Sequence, residues 1–161
     1  VQIMSRIRFQ FQPVDAASIR IGIVGASYNP EFADALVATT RESLAGHGVS
    51  EENMQVVRVP GSFEVPVVVS EMASSGEYHV VIALGVVVAG DTLHHELIGQ
   101  TTAKAIMNIA VRTRTPVING ILVVGTGTQA QERVTGKLAR GPEFAEAALH
   151  MAILKRNWAK S

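Results

Sequence analysis

The chain has no cysteine, so disulfides, thiolate metal ligands and a thiol nucleophile are excluded at the outset. Charge is scarce as well. Only 17% of residues are charged, fourteen basic against fourteen acidic, and no lysine–arginine block breaks that balance. The basic footprint by which a protein meets nucleic acid is therefore missing. Long apolar runs are absent too. A spanning helix needs about 20 unbroken apolar residues, whereas a stretch such as Val80 to Ala89 is short and holds a glycine. Residues 1–13 carry Arg6 and Arg8 and no apolar core ahead of a small-residue cleavage site, so they do not read as a signal peptide. Neither a membrane nor a nucleic acid is an expected partner, and a cytoplasmic location is expected.

What the chain does have is apolar surface. Hydrophobic residues make up 47% and the mean hydropathy is +0.24, high for a small domain whose exterior normally carries more charge. With a membrane set aside, the excess predicts extensive contacts between subunits. The 161 residues suit one domain with a proper core.

Along the chain, strand-like and helix-like patterns alternate. In the extension Val1 to Ser18, Ile7, Phe9 and Phe11 alternate with polar residues, as in a strand that pairs with another chain's sheet edge. From Ile19 to Ala26 runs a buried strand. Phe32, Ala35, Leu36, Thr39 and Leu44 then fall at helical spacing, ended by Gly46 and Gly48. Met54 to Val59 predicts a second strand and Glu64 to Ser74 a second helix, with Pro66 in its first turn. Tyr78 to Val88 is rich in β-branched residues, as a parallel strand buried on both faces should be. Thr92 to Val111 follows as a helix, Pro116 to Gly125 as a fourth strand, then a helix from Thr128 and a last one over Glu143 to Trp158. This alternation predicts βαβ units: a single α/β domain over 19–161, doubly wound and flavodoxin-like, with a four-stranded parallel sheet.

In such sheets ligands bind outside the carboxyl ends of the strands, which directs attention to four segments. At the third, Gly90, Asp91 and Thr92 lead from strand to helix, where backbone N–H groups and the helix dipole can hold a phosphate. His94 follows in the first turn, where the positive helix end favours a neutral imidazole able to accept a proton. The same pattern also suits an ordinary helix cap with surface histidines. At the second, two prolines stiffen Val59-Pro-Gly-Ser-Phe-Glu-Val-Pro66, so that Ser62, Phe63 and Glu64 either face a ligand or form a rigid turn. Tyr28, at the first, either stacks on a planar heterocycle or covers the sheet edge. At the fourth, Arg133 can fork onto a phosphate or stay solvated, with Lys137 and Arg140 nearby. His47, His79 and His150 are spaced unlike metal ligands, and no dinucleotide fingerprint or Walker lysine is present. No metal and no cofactor is expected.

Taken together, Gly25-Ala-Ser-Tyr-Asn29, Val59-Pro-Gly-Ser-Phe-Glu-Val-Pro66, Leu84-Gly-Val-Val-Val-Ala-Gly-Asp-Thr-Leu-His94, Pro116-Val-Ile-Asn-Gly120 and Gln129-Ala-Gln-Glu-Arg133 resemble the lumazine synthase family. The match covers nearly all of the chain from Ile19 onward, in the family's order. The resemblance implies a transferase of riboflavin biosynthesis, condensing 5-amino-6-(ribitylamino)uracil with 3,4-dihydroxy-2-butanone 4-phosphate. It implies that Tyr28 stacks on the pyrimidine, that Ser62, Phe63 and Glu64 hold the ribityl chain, and that the Val87–Val88 backbone hydrogen-bonds the ring. Gly90, Asp91, Thr92 and Arg133 would bind phosphate, and His94 would be the general acid–base. Homopentamers with sites between subunits are implied, and a 60-subunit shell is favoured by the short Arg133–Gly141 link; riboflavin synthase is a further candidate partner.

There are departures from the family pattern. Ala89 stands where arginine is common, and Asn119 where a neighbouring subunit usually supplies an aromatic ring; Arg140 replaces the usual lysine and keeps its charge. The first two motivate an alternative: a non-catalytic flavin- or lumazine-binding or shell-forming paralogue.

Overall fold

A computed structural model describes residues 9–158. Four parallel strands make one sheet: β1 (Ile21–Ala26), β2 (Met54–Val59), β3 (Val80–Val88) and β4 (Val117–Val124), in spatial order β2-β1-β3-β4. Five helices connect and flank them: α1 (Pro30–Gly46), α2 (Val65–Ser74), α3 (His94–Thr113), α4 (Gly127–Val134) and α5 (Gly141–Trp158). The fold is flavodoxin-like α/β, as the alternation of patterns predicts.

Side chains of a strand alternate between its two faces, and here the alternation sorts two cores. Ile21 and Ile23 of β1, with Ile82, Leu84 and Val86 of β3, pack beneath Leu36 of α1 and Ala148 and Leu149 of α5. Val24, Ala26, Val81 and Ala83 point the other way, against Val65 and Val69 of α2 and Ile106 of α3. Every residue of β1 is buried, which explains its near-continuous apolar sequence. Truncating Ile23 or Ile82, both 0% exposed, to alanine should cost about 2–5 kcal/mol.

The chain leaves β1 to one side to form β2 and then crosses to the other side for β3, so the direction of winding reverses between β1 and β3. That reversal opens a crevice at their carboxyl ends, because the connections on its two sides pass to opposite faces of the sheet.

Several boundaries differ from those read in the sequence. β1 begins at Ile21 rather than Ile19, since the Ile19 N–H bonds to the Ala16 carbonyl in a turn. α2 is preceded by one 3₁₀ turn, Ser62–Glu64. α3 begins at His94 and not Thr92, because the Thr92 hydroxyl accepts the His94 N–H from outside the helix. The strand expected around Ile7, Phe9 and Phe11 falls partly outside the described residues. Its described part, residues 9–18, is irregular in the single chain, with Phe9 edge-on to His150 and Phe11 edge-on to His47. Among the described residues, no helix is long and apolar enough to cross a membrane.

Candidate active site

The first wall of the crevice is set by one carbonyl. Pro60 O accepts the N–H groups of both Ser27 and Tyr28, each at 3.0 Å, which joins the exits of β1 and β2. Asn29 then turns the chain in the left-handed region, φ 54°, and Pro30 opens α1 with its φ already helical. The Tyr28 ring, 70% exposed, lies over Gly61. A Cβ at Gly61 would sit 2.8 Å from Tyr28 Cδ2 and 2.9 Å from Glu64 Oε2, so only glycine lets the ring and the carboxylate close on this backbone.

Glu64 caps its own turn: Oε2 accepts the Gly61 N–H at 2.9 Å while Glu64 N donates to Gly61 O at 3.1 Å. The carboxylate is thus fixed at the cleft wall before any ligand arrives. Ser62 is buried against Gly85 of β3, and its neighbour Phe63 is 60% exposed.

The opposite wall is the end of β3 and the start of α3. Beyond Val88, Ala89 N donates to Val124 O at 2.8 Å, the last ladder bond before the Gly90–Leu93 turn. Thr92 organises that turn, accepting from His94 N with its hydroxyl at 3.4 Å and meeting His95 Nδ1 with its carbonyl at 3.0 Å. His94 is therefore the first residue of α3, at the end of the helix where its dipole favours an anion.

Between these walls lies a cleft of about 540 Å³. Tyr28, Ser62, Phe63, Glu64, Val87, Val88 and His94, drawn from three strand ends, all line it. Gly90, Asp91 and Thr92 form the turn immediately before His94. Asn29, Leu97 and Ile98 also line the cleft and were not among the site residues read from the sequence. The Asn29 position next to Tyr28 was the one available signal.

The cationic candidates lie elsewhere in the subunit. Asn119, Lys137 and Arg140 line a separate cleft of about 810 Å³ between β4 and α5. There Arg140 Nε is 2.8 Å from Glu143 Oε2, and its guanidinium stands 5.5 Å from the Phe144 ring centre. Arg133 is half-buried in the last turn of α4 and lines neither cleft; its carbonyl accepts the Arg140 N–H at 2.8 Å. The reason is topological. α4 buries Ala130 and Val134 in the α1/α5 core, whereas α3 contributes Ile106 to the core on the opposite face of the sheet. A single subunit does not bring the Arg133 guanidinium to the His94 cleft.

The histidines set aside in the sequence have structural partners: His79 Nδ1 accepts the Arg20 N–H at 2.9 Å, and His47 lies 3.8 Å from Glu146. Among the described residues, no group of three or more potential ligands is placed to hold a metal ion.

A model of the 6,7-dimethyl-8-ribityllumazine synthase family matches residues 18–156. Proteins of that name are similar over most of their length. The one from Xanthomonas oryzae pv. oryzae is 40% identical over 136 residues, 84% of this chain and 88% of its own. The corresponding protein of Xanthomonas euvesicatoria pv. vesicatoria is 39% identical over the same span. That of Stenotrophomonas maltophilia is 38% identical over 138 residues, 85% of this chain and 89% of its own.

Proposed function

The chain belongs to the 6,7-dimethyl-8-ribityllumazine synthase family, and from that premise we propose how its residues divide the work of the condensation. The enzyme, a transferase of riboflavin biosynthesis, joins 5-amino-6-(ribitylamino)uracil to 3,4-dihydroxy-2-butanone 4-phosphate. The observation that carries the assignment of roles is the convergence of Tyr28, Ser62–Glu64, Val87–Val88 and His94 on one cleft at the winding reversal.

In this reading the exposed Tyr28 ring is a stacking platform for the pyrimidine, and the Val87–Val88 backbone pairs with its polar edge. Ser62, Phe63 and Glu64 run alongside the ribityl chain, with the already anchored Glu64 carboxylate accepting from its hydroxyls. The sugar phosphate docks at Gly90–Thr92, where N–H groups point out of the turn ahead of α3. The amine attacks the ketone and water leaves to give an imine. Phosphate is eliminated, and the second amine closes the ring with loss of another water. Each step moves a proton at one small centre within reach of His94, which alternates as acid and base. Holding the two reactants together supplies much of the remaining acceleration.

The chain's own geometry leaves the phosphate without an arginine, and a neighbouring copy of the chain supplies it. Leu97, Met107 and Val111 are 61%, 66% and 69% exposed. At about 100° per residue they fall within roughly 80° of one another on α3, an apolar stripe for subunit contact. We place Asn119, Arg133, Lys137 and Arg140 of one subunit across the interface from His94 of the next, in a homopentamer. Asn119 then meets the pyrimidine with an amide rather than an aromatic ring. The short link between α4 and α5 supports assembly of pentamers into a 60-subunit shell, whose interior can take riboflavin synthase as a guest.

Incubation with both substrates, followed through the fluorescence of the lumazine product, tests the assignment. His94→Ala should lower turnover roughly ten- to a thousand-fold without abolishing it, because proximity survives the loss of the proton carrier. An unchanged rate removes His94 from the mechanism.

A further inference from the structure

At the opposite end of the sheet from the catalytic cleft, the last residues of α2 and α3 and the side chain of Lys155 enclose a polar cleft of about 580 Å³. Lys155 reaches it from the last turn of α5, across the end of the sheet. Its ammonium donates to Tyr78 O at 3.1 Å and to Thr115 Oγ1 at 2.9 Å. Thr115 is only 3% exposed and donates its own proton to Ala73 O at 2.9 Å. A buried hydroxyl thus fixes the ammonium in place, and both oxygens that receive it are uncharged. An ammonium has three protons to give.

Arg112, in the last turn of α3, lines the same cleft, with Asn108 one turn earlier on the same helical face. Ser70, Ser74 and Thr113 add hydroxyls. The lining therefore carries two cations, several neutral donors and no carboxylate. The carbonyl ends of α2 and α3 also face it, each equivalent to about half a negative charge. Together they offset about one of the two cations and leave a surplus of about one positive charge. Burial lowers the pKa of Lys155, and no carboxylate counters that effect.

We propose that this cleft is a second anion site, binding a phosphate group, free or as a monoester, between the Lys155 ammonium and the Arg112 guanidinium. A tetrahedral oxyanion presents several acceptors at once, which suits a fixed point charge on one side and a planar fork on the other. The site is separate from the Gly90–Thr92 turn, which lies at the carboxyl end of β3, and it does not depend on the catalytic assignment above.

The test reads Lys155 directly in the assembled protein. The rate of its acetylation by an acylating reagent is followed by peptide mass spectrometry, with an added free lysine peptide as internal reference. Inorganic phosphate, glycerol 3-phosphate and sodium chloride are compared at equal ionic strength. At ten times its dissociation constant a bound anion leaves the site about a tenth free, so Lys155 should acetylate about tenfold more slowly. Protection by inorganic phosphate identifies the free ion as sufficient; protection by glycerol 3-phosphate alone identifies a monoester. In either case Arg112→Ala, an exposed change at a helix end, should abolish protection. No protection, equal protection by chloride, or full protection in Arg112→Ala overturns the proposal.

Discussion

The side-chain amide of Asn29 donates to the main-chain carbonyl of Val86 at 2.8 Å, tying the exit of β1 to β3 across the mouth of the crevice. The same residue holds the left-handed conformation that turns the chain into α1. Two local demands meet in one side chain: asparagine tolerates φ 54° better than most residues, and its amide spans the crevice.

Asn29→Ala should therefore destabilise the protein by about 1–3 kcal/mol, through an unpaired carbonyl and a strained backbone. Asn29→Gly removes the strain but not the missing bond, so it should fall between alanine and the parent. Urea unfolding at one fixed subunit concentration checks the order, since assembly contributes to apparent stability.

Gly85 gives a sharper test of the wall we propose for the ribityl chain. A Cβ there would lie 2.5 Å from Ser62 Oγ and 3.3 Å from Ala26 Cβ, so Gly85→Ala must push the Ser62 hydroxyl out of its place. Overpacking of this kind costs about 1–3 kcal/mol of stability. The displaced Ser62 hydroxyl should also raise KM for the pyrimidine about tenfold, since misplacement by about 1 Å has large kinetic effects. Steady-state kinetics with each substrate varied in turn should show KM for the sugar phosphate much less affected.

The acid limb of stability should report His79. Burial, followed by the charges of Arg20, Lys155 and Arg156, pushes its pKa below the usual 6.5. Below pH 6.5 the unfolded chain takes up a proton that the folded chain resists, so unfolding binds protons and stability falls as pH drops. The contribution is present above the unfolded pKa and is lost as pH falls through the lowered folded one. Urea midpoints at about pH 7.5 and about pH 5 should differ less in His79→Asn than in the parent, because asparagine does not titrate.

Much of this was legible in the sequence because the signals were local. The β-branched run of β3, the helical spacing after Asn29 and the Pro-Gly turn after Val59 each state their structure within a few residues, and the strand ends of a parallel sheet then locate the crevice. Less legible was what depends on which face of the sheet a helix occupies. Arg133 follows a strand end just as His94 does, yet Ala130 and Val134 anchor α4 on the side away from α3. The start of α3 was misplaced for a smaller reason, the Thr92 hydroxyl competing for the first helical N–H. Asn119, Lys137 and Arg140 gather in their own cleft because β4 and α5 meet there, a tertiary fact with no local signature.

Division of the site between two copies of the chain is the central claim, and subunit mixing tests it most directly. His94→Ala and Arg133→Ala should each be strongly impaired alone. In randomly co-assembled mixtures about a quarter of the sites would pair an intact His94 with an intact Arg133 from the neighbour, so activity should recover to about a quarter of the parent's. A mixture no more active than the average of its two components would contradict the shared site.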